Sequence, residues 1–413
     1  MNPLKTLGYR LLRQSERYLK TDMVYAAHGG FWLFVGQGMG VLVSLVFAVA
    51  FANLLTPEQY GNYKYVLSLA AVIGAFSLTG FTTALMRASA RGHDGTLSHT
   101  ARVSFVSSIV MVVLAAIGGT YYMLQGNEFL GISLFIIGAT SPFIASASLY
   151  RPFLMGRQEF KKTSLYGALQ SAIPMLSVLI ALLLKAPLIV LVALYFTINA
   201  LILTILYRHT KRLVKNDIVD PGANRIGAHL SVMGIISTIA GKLDSILIFQ
   251  LMGGAELALF SLAITLPDTI RGSLKNITAL AIPKFAKKTK EEMKRAVWSK
   301  TLLIFFLSLA LTGAYVIAAP LLFDLLFPQY RAAIPYTQVY AFTILTSLVL
   351  ASAYFDSQAA IKERYILNVV NSTTTIVATV VGIVWFGLWG AIAARIIARI
   401  INIALSSFLI TRH

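Results

Sequence analysis

Apolar stretches about twenty residues long, almost free of charge, recur along the whole chain. A helix of about 20 apolar residues crosses the hydrocarbon core of a bilayer, and inside lipid a backbone must satisfy its own hydrogen bonds. Stretches of this kind fall near 31–55, 65–86, 103–124, 129–150, 164–184 and 187–207, then near 230–252, 257–282, 301–323, 334–355, 366–386 and 387–410. Only 12% of the residues are charged and 57% are hydrophobic, whereas a water-facing surface calls for about 25% charged residues. The expected fold is an all-α integral membrane protein of about twelve transmembrane helices. A soluble enzyme is excluded, and no sizeable extramembrane domain fits.

The ionisable residues are lopsided, with 35 Lys and Arg against 16 Asp and Glu. In a membrane protein this excess reports topology, because cytoplasmic loops collect cations. With the amino terminus inside, 27 cations fall on the inner side and 3 (Lys64, Lys185 and Arg331) on the outer side. Both termini are therefore expected in the cytoplasm. Residues 1–28 read as a cytoplasmic amphipathic tail on the inner leaflet, with Leu4, Leu7, Leu11 and Tyr18 on one helical face. Residues 208–229, with Asp217, Asp220, Pro221 and Gly222, read as a turn-rich cytoplasmic linker. It would join two six-helix bundles, 29–207 and 230–413. There is no cysteine, which excludes disulfides and thiol nucleophiles. The six histidines lack metal-ligand spacing and no phosphate loop precedes a helix, so neither a metal centre nor ATP hydrolysis is expected.

Two segments repeat. Glu58-Gln59-Tyr60-Gly61-Asn62-Tyr63 reads onto Ala255-Glu256-Leu257-Ala258-Leu259-Phe260, a shift of 197 residues. Gly156-Arg157-Gln158-Glu159-Phe160 reads onto Ile361-Lys362-Glu363-Arg364-Tyr365, a shift of 205. Both shifts approach half the chain, as a duplicated six-span unit would give.

The same regions carry a resemblance. Leu54-Leu55-Thr56-Pro57-Glu58-Gln59-Tyr60-Gly61-Asn62-Tyr63 resembles the loop after the first span of Wzx-type lipid-linked oligosaccharide flippases. These are polysaccharide exporters of the MATE-like multidrug/oligosaccharidyl-lipid/polysaccharide superfamily. Arg151-Pro152-Phe153-Leu154-Met155-Gly156-Arg157 resembles the loop after their fourth span. Asp244 through Ser261, with Gly253, Gly254 and Phe260, resembles their seventh-to-eighth junction.

The resemblance implies a two-bundle, MATE-like fold that moves an undecaprenyl-diphosphate-linked oligosaccharide across a bacterial inner membrane by ion-coupled alternating access. The cargo would serve cell-surface polysaccharide such as O-antigen. The implied partners are membrane lipid, the polyprenyl-diphosphate-linked glycan and other polysaccharide-assembly membrane proteins, with no nucleic acid. No cofactor is implied beyond a coupling H+ or Na+, and no catalytic residue. Peptidoglycan-lipid flippases are similar but usually have two more spans. Drug exporters often have an acid in the first span, and 31–55 has none.

Seven ionisable residues lie inside the expected spans: Lys242, Asp244, Asp268, Arg271, Lys275, Arg395 and Arg399. Each unpaired charge at the bilayer centre costs about 2.5–3.5 kcal/mol on insertion scales, so these residues need water, partners or a ligand. Five are cations and two are acids, so internal pairing leaves positive charge over. In the eighth span Ser261, Thr265, Asp268, Gly272 and Lys275 form a polar stripe at helical spacing, with Arg271 beside it. In the twelfth, Arg395, Arg399, Asn402 and Ser406 share a face, and in the eleventh so do Asn368, Ser372, Thr375 and Thr379.

Lys242, Arg271, Lys275, Arg395 and Arg399 are therefore expected to line a cationic cavity between the bundles. Guanidinium forks would take diphosphate oxygens there, and the hydroxyl and amide rows would take sugars. Asp244 and Asp268, with Asn368 or Asn371 by analogy with peptidoglycan-lipid flippases, are the ion-coupling candidates. The competing reading makes Asp268–Arg271 and Lys242–Asp244 packing pairs, with Lys275 snorkelling. Another carrier of the superfamily, moving small molecules or peptidoglycan lipid, and a membrane-bound glycan-modifying enzyme are the rival functions. The surplus of cations argues against a cation carrier, and the lack of a large outer loop against the enzyme.

Overall fold

The computed structural model describes residues 23–279, 290–348 and 361–412. Regular structure among them is helical throughout. The first half comprises α1 (Met23–Leu54), α2 (Pro57–Gly74), α3 (Phe81–Ala90), α4 (Thr96–Ser107), α5 (Ile109–Leu124), α6 (Glu128–Ala147), α7 (Tyr150–Gly156), α8 (Phe160–Leu183) and α9 (Leu188–Lys211). The second half comprises α10 (Ala223–Met252), α11 (Gly254–Ala279), α12 (Lys290–Leu326), α13 (Ile334–Ala341) and α14 (Ile361–Arg412). Eight helical stretches among the described residues are long and apolar enough to cross a membrane. The last of these, within α14, contains two expected spans: the helix bends at Gly387, whose φ of 57° and ψ of −133° suit glycine alone.

Large apolar side chains point outward. Ile317 is 82% exposed and Trp385 76%, with Ile117, Leu124 and Phe386 beside the same pattern. In water such a belt would be an association surface; in a chain of this composition it faces hydrocarbon. The tight core lies elsewhere. Phe51, Tyr60 and Tyr63 from the first half pack with Phe260, Phe323, Tyr330 and Tyr340 from the second.

The repeated segments lie at this junction. The Glu58 carboxylate accepts the Ala255 backbone N–H at 3.0 Å, joining two positions that read onto one another. Gly61 lies against Gly254 so closely that any Cβ would strike its carbonyl. Asn53 donates to the Leu326 carbonyl at 2.8 Å, and Gln250 donates to the hydroxyls of Tyr65 and Tyr122 at 2.7 and 2.8 Å.

Three expectations change. The tail was expected to run to residue 28, but α1 already begins at Met23; residues 1–22 lie outside the described residues. Lys64, expected in an outer loop, belongs to α2. Thr56 caps that helix by accepting the Gln59 N–H, Gln59 returns the bond to the Thr56 N–H, and Pro57 fixes the first turn. The Lys64 ammonium then sits over the Tyr60 ring, 5.2 Å from its centroid.

The linker is also shorter than expected and is pinned down. Helix α9 runs to Lys211 and α10 starts at Ala223. Between them, Asn216 donates to the Gly92 carbonyl and accepts the Asp94 N–H. Buried Asp94 accepts the Lys215 N–H at 2.9 Å and pairs with Arg157 at 3.4 Å. The Asp220 N–H donates to Thr96. The connector therefore belongs structurally to the first half.

Candidate functional site

Proline placement organises the second half. Proline at position i cannot donate to the carbonyl of residue i−4, and in lipid an unmade bond of this kind is costly. Pro267 in α11 thus releases the Ala263 carbonyl, and Pro320 in α12 releases that of Val316. Helix α13 supplies both missing donors. The Thr337 hydroxyl donates to the Ala263 carbonyl at 2.7 Å, and the Gln338 amide donates to the Val316 carbonyl at 3.0 Å. A contact of 2.6 Å between Tyr315 and Thr337 secures the first of these. One turn beyond Thr337, Tyr340 is thereby held against α11, where Asp268 follows Pro267.

Around Tyr340 the buried charges converge. Its hydroxyl donates to the Asp268 carboxylate, with oxygens at 3.1 and 3.0 Å. From α14, Arg399 donates through Nη2 to Asp268 at 2.7 Å and to the Tyr340 oxygen at 2.6 Å. Arg395 donates through Nε to Asp244 at 2.5 Å, and its Nη1 reaches Asp268 at 3.5 Å and Tyr340 at 3.4 Å. The Arg395 guanidinium also lies over Phe260, and that of Arg399 over Tyr340. The other Asp244 oxygen accepts both the Ser245 N–H and its hydroxyl.

The expected pairings therefore change. Arg395 and Arg399 have no acid in their own span and take those of α10 and α11; Arg271 and Lys242 make no ion pair among the described residues. Both remain close enough to feel the network's charges, and Lys242 also feels Lys64. The side chain of Lys275 lies outside the described residues. The charged network is built from α10, α11, α13 and α14, all of the second half, where every expected site residue also lies.

Asn368 accepts from Ser372 at 3.3 Å, and among the described residues the hydrogen bonds of Asp244 go to Ser245 and Arg395. The hydroxyl stripes are also more inward-bonded than expected. Thr265 donates to the Ser261 carbonyl, Thr269 to that of Thr265 and Thr375 to that of Asn371, which leaves their acceptor lone pairs for a ligand. Among the described residues no cluster of three metal-ligating side chains occurs. Tyr340 was not anticipated from the sequence. The adjacent polar pair Thr337–Gln338 in an apolar stretch, set against two prolines in neighbouring spans, was the signal for its placement.

The charges do not balance. Lys242, Arg271, Arg395 and Arg399 stand against Asp244 and Asp268, two positive charges in excess. Arg399 Nη1 and Arg271 Nε are buried with no hydrogen-bond partner among the described residues. Guanidinium donors left idle at this depth call for an anion.

A helical multi-pass membrane protein with a charged network inside its second half has the architecture of a MATE-like transporter. A MOP superfamily transporter from Pyrococcus furiosus, for which a reversed polarity of the binding pocket suggests a different function, has the same fold: TM-score 0.66, 14% identity, over 94% of this chain and 95% of that one. Outward- and inward-facing MATE family transporters give TM-scores of 0.65 and 0.66 at 14% and 15% identity. They cover 94% and 90% of this chain and 96% and 95% of theirs. The chain belongs to the family described as polysaccharide biosynthesis protein, which it matches over residues 26–289. No curated protein matches it. Family and fold together make it a transporter of the flippase type.

Proposed function

We propose that the protein flips an undecaprenyl-diphosphate-linked oligosaccharide from the inner to the outer leaflet of a bacterial cytoplasmic membrane, by alternating access coupled to H+ or Na+. The observation that carries this reading is the surplus of buried cations with idle guanidinium donors at Arg271 and Arg399. A diphosphate brings about two negative charges and many acceptor oxygens, which suits this donor set. Arg395 and Arg399 are the proposed diphosphate ligands, with Arg271, Lys242 and Lys275 supplying further positive charge. Asp244 and Asp268 are the proposed acids of the coupling-ion cycle, and the two halves the proposed rocking bodies. A carrier of small cations would need the opposite sign at this site.

The test is surface-glycan output in a strain that depends on this protein. Arg399→Ala should abolish output while the protein accumulates in the membrane at wild-type level. Unchanged output from a normally inserted variant would remove Arg399 from the cargo site.

A further inference from the structure

We propose that Asp268 is an internal stand-in for the cargo: it occupies the arginine donors while the site is empty and is displaced by the incoming diphosphate. This deepens the reading above and rests on it. The two acids of the network are not equivalent. The Asp244 side chain is 4% exposed and its oxygens are divided between Arg395 and Ser245, so it is the fixed counter-ion of Arg395. The Asp268 side chain is 33% exposed and spends both oxygens on groups that suit a phosphate equally well: Arg399 Nη2, the more distant Arg395 Nη1 and the Tyr340 hydroxyl. It follows Pro267, where α11 lacks one of its own backbone hydrogen bonds.

Tyr340 serves the same end. Its oxygen accepts from both arginines while its proton goes to Asp268, so it holds the forks in place and keeps the carboxylate on them. Among the described residues the other charges close to Asp268 are Arg271 on its own helix and Lys242 on α10, both cationic and without ion pairs. A diphosphate entering here exchanges one carboxylate for a more highly charged anion and engages the idle donors of Arg399 and Arg271. Return of Asp268 to the guanidinium groups then competes with the cargo and favours its release. Bound carboxylate and bound cargo are thus alternative states of one site, which prevents the arginines from retaining what they carry.

The experiment is titration of the full-length protein in detergent with inorganic pyrophosphate, read by calorimetry. Asp268→Asn should bind pyrophosphate about tenfold more tightly than wild type, the worth of one charge-assisted hydrogen bond no longer in competition. Asp268→Ser should also bind more tightly, since its hydroxyl is too short and uncharged to hold the arginine donors. Unchanged or weaker binding by folded Asp268→Asn overturns the proposal. If that variant does not fold, the same result with Asp268→Ser overturns it. Arg399→Gln separates the two levels. If wild type binds and Arg399→Gln does not, the anion site stands and the aspartate variants decide the exchange. If wild type binds no pyrophosphate, the anion-site reading falls and the exchange with it.

Discussion

The side chain that most determines the site's stability is Arg395. Its Nε is bound to a carboxylate that is almost fully buried, so neither partner can be removed without stranding the other. Breaking a buried pair from one side costs about 3–5 kcal/mol, although replacing both partners together can be nearly neutral. Arg395→Met should therefore lower equilibrium unfolding stability in mixed micelles by about 3 kcal/mol. Combining it with Asp244→Asn should lose clearly less than the two single changes summed, and strict additivity would show that the contact carries no coupling. At this scale the sequence was informative about which residues are special, since charge inside an apolar span is visible by inspection. It was poor on partners. Asp268 and Arg271 are three apart on one helix, yet Asp268 is paired with Arg399, 131 residues away, because α14 packs along α10 and its arginine reaches Asp268 from there.

Among the elements, α13 has the largest role for its length. Eight residues supply the donors that two proline-broken helices lack, and in doing so aim Tyr340 at Asp268. Thr337→Val keeps the shape and removes the donor, leaving the Ala263 carbonyl and the Tyr315 hydroxyl without this partner. It should cost about 1–3 kcal/mol of stability, measured by thermal unfolding in detergent. It should also loosen Tyr340, which tyrosine fluorescence quenching would detect; wild-type stability and quenching would contradict the role assigned to Thr337. Helix positions were legible in outline, because length and hydropathy alone fix where a chain can cross lipid. The breaks within α2–α3, the helical extension through Arg151, and Lys64 on a helix were less so. They depend on caps such as Thr56–Gln59 and on contacts between helices, which hydropathy averages away.

For the molecule as a whole, Glu58 and Ala255, which read onto one another in the sequence, meet at the junction of the halves. That the charged residues lie in the second half was legible; which of them meet was not. Hydropathy assigns depth and helical spacing assigns a face, but neither states which neighbours a face meets. The role proposed for the buried cations is to receive the diphosphate of a lipid-borne glycan. Its most direct test is transbilayer movement in proteoliposomes of one fluorescent oligosaccharide, carried either on a polyprenyl diphosphate or on an uncharged polyprenyl ether. The protein should accelerate movement of the diphosphate form alone. Equal acceleration of both forms, or of neither while the reconstituted protein remains folded, would contradict it.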